Sequence, residues 1–125
     1  MSNNIIKSDR GDLYEINFEN APFHVNRIFI VDNVAIGEKR GEHAHYSEKQ
    51  LVICIKGEIE ANWITPDSSG SVVLSQGDEL YSHPLTWLTL TFMKENSSFA
   101  CLCSDHFNEN DYIRDFSKFQ EIINQ

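Results

Sequence analysis

Short runs of β-forming residues, each closed by turn formers, set the strongest limit on how this chain folds. The runs are Leu13–Phe18, Val25–Val31, Gln50–Lys56, Ile59–Thr65, Ser71–Leu74, Glu79–Ser82, Trp87–Phe92 and Phe99–Cys103. Between them fall Asn20-Ala21-Pro22, Gly37, Gly57, the stretch from Pro66 to Gly70, Gly77-Asp78 and Lys94-Glu95-Asn96. Strands this numerous and this evenly spaced predict a sandwich or barrel. Trp87–Phe92 shows the alternation best, with Leu88, Leu90 and Phe92 on one face and Trp87, Thr89 and Thr91 on the other. Leu51 to Ile55 is apolar on both faces, as befits a central strand covered on both sides. Helical character is confined to the end. There Phe116, Phe119, Ile122 and Ile123 form an apolar stripe, and Ser117-Lys118-Phe119-Gln120 reads as a capping box.

Residues 1–125 fit one domain, long enough to bury a core. A net charge of −9 excludes non-specific binding to nucleic acid or to an anionic membrane, both of which need a basic surface. No apolar stretch is long enough to span a bilayer or to act as a secretory leader, so a cytoplasmic protein is expected. Cys54, Cys101 and Cys103 all sit in apolar runs, with no C-x-x-C spacing, and are expected to be buried, reduced thiols.

The segment from Gly37 to Gly57 reads G-x5-H-x-H-x4-Q-x6-G and matches the first cupin motif, with Gln50 in the usual acidic position. His43 and His45 stand two apart on a strand, so both side chains point to one face and are expected at a barrel mouth. An amide is a poor ligand for a hard cation. Leu88 and Thr89 hold the positions where a further histidine would complete a metal site, and Glu48 reads as out of phase with Gln50. No metal and no cofactor are therefore expected. Two imidazoles in an apolar mouth suit proton abstraction and return, because histidine titrates near neutral pH. Lys39 and Arg40 lie just upstream of the pair, with Arg10 and Arg27 in the N-terminal strands. Guanidinium groups match phosphate oxygens in a two-pronged geometry, so these arginines are candidate diphosphate anchors.

Several elements together resemble the thymidine-diphosphate-sugar 3,4-ketoisomerases, the WxcM-like, FdtA-type cupins. They are Asp9-Arg10-Gly11, Asn26-Arg27-Ile28-Phe29, Arg40-Gly41-x-His43-Ala44-His45, Leu80-Tyr81, Pro84-x-x-Trp87 and the tail from Ser104-Asp105 to Tyr112-Ile113-Arg114-Asp115. The resemblance implies an all-β fold, a cupin jelly-roll β-barrel (RmlC-like) with a short C-terminal helix. It also implies a homodimer, often with exchanged N-terminal strands, acting without metal on a dTDP-linked keto-sugar. By carry-over, His43 is the leading acid/base and His45 its partner or proton relay. Arg10, Arg27, Arg40, Gln50, Tyr81 and Trp87 are the expected substrate contacts. The chain departs from the family at Leu88, where a histidine usually follows the tryptophan, and at Phe29, where relatives often carry tyrosine. Both changes remove a polar group from the expected pocket. The alternatives to an isomerase are a non-catalytic nucleotide-sugar-binding cupin and a metal-dependent cupin enzyme.

Overall fold

The computed structural model describes residues 4–125. Two antiparallel sheets face each other. One has the order β3-β10-β5-β8, built from β3 (Arg27–Val31), β10 (Ser98–Cys103), β5 (Gln50–Lys56) and β8 (Glu79–Ser82). The other has the order β11-β4-β9-β6-β7, built from β11 (Tyr112–Ile113), β4 (Lys39–His45), β9 (Trp87–Phe92), β6 (Glu58–Ile64) and β7 (Ser69–Ser75). A separate hairpin of β1 (Asn4–Ser8) and β2 (Gly11–Glu15) precedes them, and α1 (Phe116–Ile123) closes the chain.

The expected alternation decides where each layer's core lies. Inward residues of both sheets meet in one cluster: Val52, Cys54, Phe99 and Cys101 from the first, Ile59, Leu74, Leu90 and Phe92 from the second. The outward face of β5 and β10, carrying Leu51, Ile53 and Leu102, is covered by Ile16, Phe23 and Val25 of the N-terminal segment. The outward face of the second sheet, carrying Ala44 and Trp87, is covered by Phe119, Ile122 and Ile123 of α1. Central strand β5 is thus buried on both sides, as its unbroken apolar run requires.

Two local expectations are revised, and one element was not foreseen. The helix is capped by Asp115, whose side chain accepts from the Ser117 backbone N–H, so Ser117 lies inside the first turn. The run Leu13–Phe18 is shortened, because the strand ends at Glu15 and Phe18 opens a turn of 3-10 helix. Strand β11 has only two residues, too short to leave a periodic signal. The three cysteines are buried and free. No helix among the described residues is long and apolar enough to cross a membrane.

Candidate active site

Strand β4 carries the histidines, and a bulge in its pairing with β9 sets their aim. The register shifts between Gly41 and His43, with Gly41 at φ +85° and Glu42 at φ +58°. A Cβ on Gly41 would stand 2.7 Å from the Leu88 carbonyl oxygen, so glycine is required by space as well as by backbone angle. Past the bulge, His43 lies at the wall of a cleft of about 410 Å³ between the sheets. Arg27, Lys39, Arg40, Gln50, Tyr112 and Arg114 bring further polar groups to the cleft, while Phe29, Leu88 and Leu90 are among its apolar lining. Both departures from the resembled family, Leu88 and Phe29, therefore face the cleft directly.

His43 Nδ1 is 3.1 Å from the Gly41 carbonyl oxygen. Burial lowers the His43 pKa below the usual 6.5, with the Arg114 charge adding to the effect and the Gly41 bond opposing it. A neutral imidazole whose Nδ1–H is spent on a carbonyl keeps Nε2 as a proton acceptor.

His45 is not in the cleft. The residue is buried, and its ring lies behind Tyr112, with ring centroids 4.3 Å apart. Nε2 faces Glu48 Oε2 at 3.5 Å and Nδ1 faces Asp111 Oδ2 at 3.4 Å. Burial first, then the neighbouring His43 and Arg27, lowers the His45 pKa to about 4, although Asp111 pulls the other way. The expectation that both histidines enter the mouth is corrected for this residue. Tyr112 pairs with His45 across β11 and β4, and its ring covers the imidazole.

Glu48, read from sequence as out of phase, is the centre of the buried polar network. Its Oε2 accepts from Gln50 Nε2 at 2.7 Å and its Oε1 from Arg27 Nη2 at 3.2 Å. Gln50 starts strand β5 and Glu48 sits two residues earlier in the turn, so both reach the same side. Burial raises the Glu48 pKa, against the bonds from Gln50 and Arg27. Asp111 ties the turn itself, accepting from the backbone N–H of Ser47 and of Glu48 at 2.9 and 3.0 Å.

Arg27, Arg40 and Gln50 thus join His43 in one cleft, whereas Arg10, Tyr81 and Trp87 lie elsewhere. Arg10 is exposed at the turn of the β1–β2 hairpin. Tyr81 packs edge-on against Phe23 and stacks on His83, on the outward face of the first sheet. Trp87 is packed under α1 against Phe116 and Phe119, because its neighbour Leu88 takes the inward position. Tyr112 and Arg114 were without an assigned role, although the tail element containing them was the available signal. Arg114 lies over the Tyr112 ring at 4.2 Å and is held by Glu109 through Nε and Nη2 at 2.7 and 2.9 Å. Among the described residues, no three His, Cys, Asp or Glu side chains converge as ligands of one metal ion.

A closed pair of jelly-roll sheets with a basic, histidine-bearing cleft between them defines an RmlC-like cupin. Residues 2–124 match the FdtA family (WxcM-like, C-terminal), and the chain belongs to that family. It is 28% identical over 120 residues to TDP-4-oxo-6-deoxy-alpha-D-glucose-3,4-oxoisomerase of Aneurinibacillus thermoaerophilus, covering 94% of this chain and 86% of the relative. The crystal structure of QdtA, a sugar 3,4-ketoisomerase from Thermoanaerobacterium thermosaccharolyticum in complex with TDP, superposes with a TM-score of 0.85 at 26% identity, covering 98% of this chain and 91% of QdtA. A histidine-to-asparagine variant of QdtA, solved with TDP-4-keto-6-deoxyglucose, matches at a TM-score of 0.85 and 25% identity, covering 98% and 90% of the two chains.

Proposed function

We propose that this protein is a 3,4-ketoisomerase that converts dTDP-4-keto-6-deoxy-D-glucose to a dTDP-3-keto-6-deoxyhexose. The observation that carries this reading is the neutral, carbonyl-anchored His43 in a cleft rich in arginine. His43 Nε2 takes the proton from sugar C3, which is acidified by the C4 carbonyl, and an enediolate forms across C3 and C4. Protonation at C4, with loss of the C3 hydroxyl proton and gain of one at the C4 oxygen, leaves the 3-keto isomer. Charge developing on the enediolate oxygens is met by fixed donors; Arg27 is the best placed, because Glu48 holds its guanidinium. Arg40, Lys39 and Arg114 give the cleft the positive charge that a diphosphate needs. His45 serves as the partner behind His43, and Gln50 keeps Arg27 and Glu48 in register.

A 3-keto product is the substrate an aminotransferase needs to place nitrogen at C3, so the enzyme supplies 3-amino-3,6-dideoxy sugars for surface glycans. Three buried free thiols suit a cytoplasmic enzyme. Support for a homodimer comes from apolar residues left open in one chain. Ile28 and Ile30 are exposed on edge strand β3, and Ile6 and Leu13 face solvent from the hairpin. Arg10, remote from the cleft of its own chain, lies on that same hairpin.

The test is incubation of the protein with dTDP-4-keto-6-deoxyglucose in deuterium oxide, followed by NMR. The expected product is a 3-keto sugar with solvent-derived deuterium at C4. His43→Asn is expected to lower kcat by about 10²- to 10⁴-fold, the usual contribution of a general base, with nucleotide binding retained. No new species at stoichiometric enzyme overturns the proposal.

A further inference from the structure

Strand β10 lays a pair of thiols under the cleft. Cys101 and Cys103 stand two apart, so both side chains point inward from the first sheet, and their sulfurs are 4.0 Å apart. Cys101 lines the cleft, as do Arg27, Gln50 and His43. Strand register fixes the neighbours of the pair. Arg27 and Gln50 flank Cys103 from β3 and β5, and Phe29 and Val52 flank Cys101 in the same way.

These surroundings favour a thiolate at Cys103. The bond from Cys101 lowers its pKa, with the Arg27 charge and the Gln50 amide adding to the effect and burial and Glu48 opposing it. Gln50 Nε2 donates to the Cys103 sulfur at 3.8 Å. A disulfide fits the pair poorly, because residues two apart on an extended strand have Cα atoms roughly 6.6 Å apart, at the outer edge of disulfide geometry. A bridging ion spans the sulfurs as they stand. Two metal–thiolate bonds of about 2.3 Å cover the 4.0 Å at an angle of about 120°. Among the described residues, no third His, Cys, Asp or Glu side chain joins them as a ligand. Zinc sites usually have three or four protein ligands, whereas Cu(I) accepts low coordination and prefers soft sulfur.

We propose that Cys101 and Cys103 form a binding site for a soft monovalent metal ion, Cu(I), which enters through the cleft and shuts it. Both thiols lose their protons to water as the ion binds, so two S–H groups and Cu(I) become a dithiolate complex of charge −1. That charge lies beside Arg27, the in-register neighbour of Cys103. It draws the guanidinium toward sulfur and repels both a diphosphate and a developing enediolate. The off-switch rests on the isomerase reading, whereas the binding site stands without it.

The test titrates the reduced protein anaerobically with Cu(I) against the coloured chelator bicinchoninate. The wild type is expected to hold one ion per chain. Cys101→Ser and Cys103→Ser are each expected to weaken binding by more than about 100-fold, beyond the usual cost of losing an outer-shell partner. Cys54→Ser is the control, because that thiol is turned to the Lys56 and Gly57 carbonyls. No ion held, a smaller loss in either variant, or an equal loss in the control overturns the proposal. If the serine variants do not fold, X-ray absorption of the copper-loaded wild type decides: two sulfur neighbours at about 2.3 Å are expected, and fewer than two overturn the site. Loading is expected to lower kcat/KM by about tenfold or more, with recovery when the chelator strips the ion; unchanged kcat/KM with the ion bound overturns the switch. The titration needs no turnover, so an inactive enzyme sinks the isomerase reading and leaves the metal site separately decided.

Discussion

His43 Nδ1 stands 3.1 Å from the carbonyl oxygen of Gly41, two residues earlier on the same strand. A carbonyl only accepts, so Nδ1 carries the hydrogen and the lone pair of the neutral ring is on Nε2. The β-bulge that produces this contact also turns the ring into the cleft, so one backbone irregularity sets both tautomer and aim.

The acid limb of the kcat/KM profile follows from that environment. Burial holds the His43 pKa below 6.5, so the basic form survives to lower pH than in an exposed histidine. Activity is expected to fall with an apparent pKa below 6.5 on the acid side. An acid limb above that value, measured on free enzyme and substrate, counts against His43 as the base.

Stability should depend on pH through His45. Its pKa is lowered from 6.5 to about 4 in the fold, so the unfolded chain binds more protons between these values. Its contribution is complete above 6.5 and is lost as pH falls toward about 4. Urea unfolding across this window is expected to show that loss, and His45→Gln is expected to flatten it. An unchanged slope in the variant contradicts the assignment.

Gly41→Ala tests the bulge. The new Cβ meets a backbone carbonyl and the residue must keep a φ of +85°, so the strand shifts. The expected cost is about 1–3 kcal/mol of stability, read by denaturant unfolding. Loss of activity should exceed that of a stability-matched variant elsewhere, because His43 moves with the strand.

Phe119 tests the second core. It is fully buried between α1 and the outward face of the second sheet, against Trp87. Phe119→Ala is expected to destabilise by about 3–5 kcal/mol, with a lower Tm. Activity below the transition should persist, since neither Phe119 nor Trp87 reaches the cleft.

Most strands were legible because period-two alternation survives in any half-buried sheet. Gln50–Lys56, Glu79–Ser82 and Trp87–Phe92 fall at their expected limits. The two-residue β11 and the hairpin strand β1 were not, since neither alternates over a stretch long enough to show a face. The helix was legible from its apolar stripe, but its cap was not: Asp115 and Ser117 are both good cap residues, and only the backbone angle separates them.

At the site, residue types and spacing by themselves determined the H-x-H pair, the glycine-bounded hairpin and the basic residues nearby. Those are local properties of one strand and its turns. Which of them share a space was decided by tertiary structure alone. The H-x-H pair stands two apart on one strand, yet Tyr112, from sixty-odd residues on, puts the two rings in separate cavities. Trp87 faces outward because Leu88 faces inward, and Glu48 becomes the hub because strand β3 brings Arg27 to it. Side-chain type sets what a residue does chemically. Only the pairing of distant strands sets what it does it to.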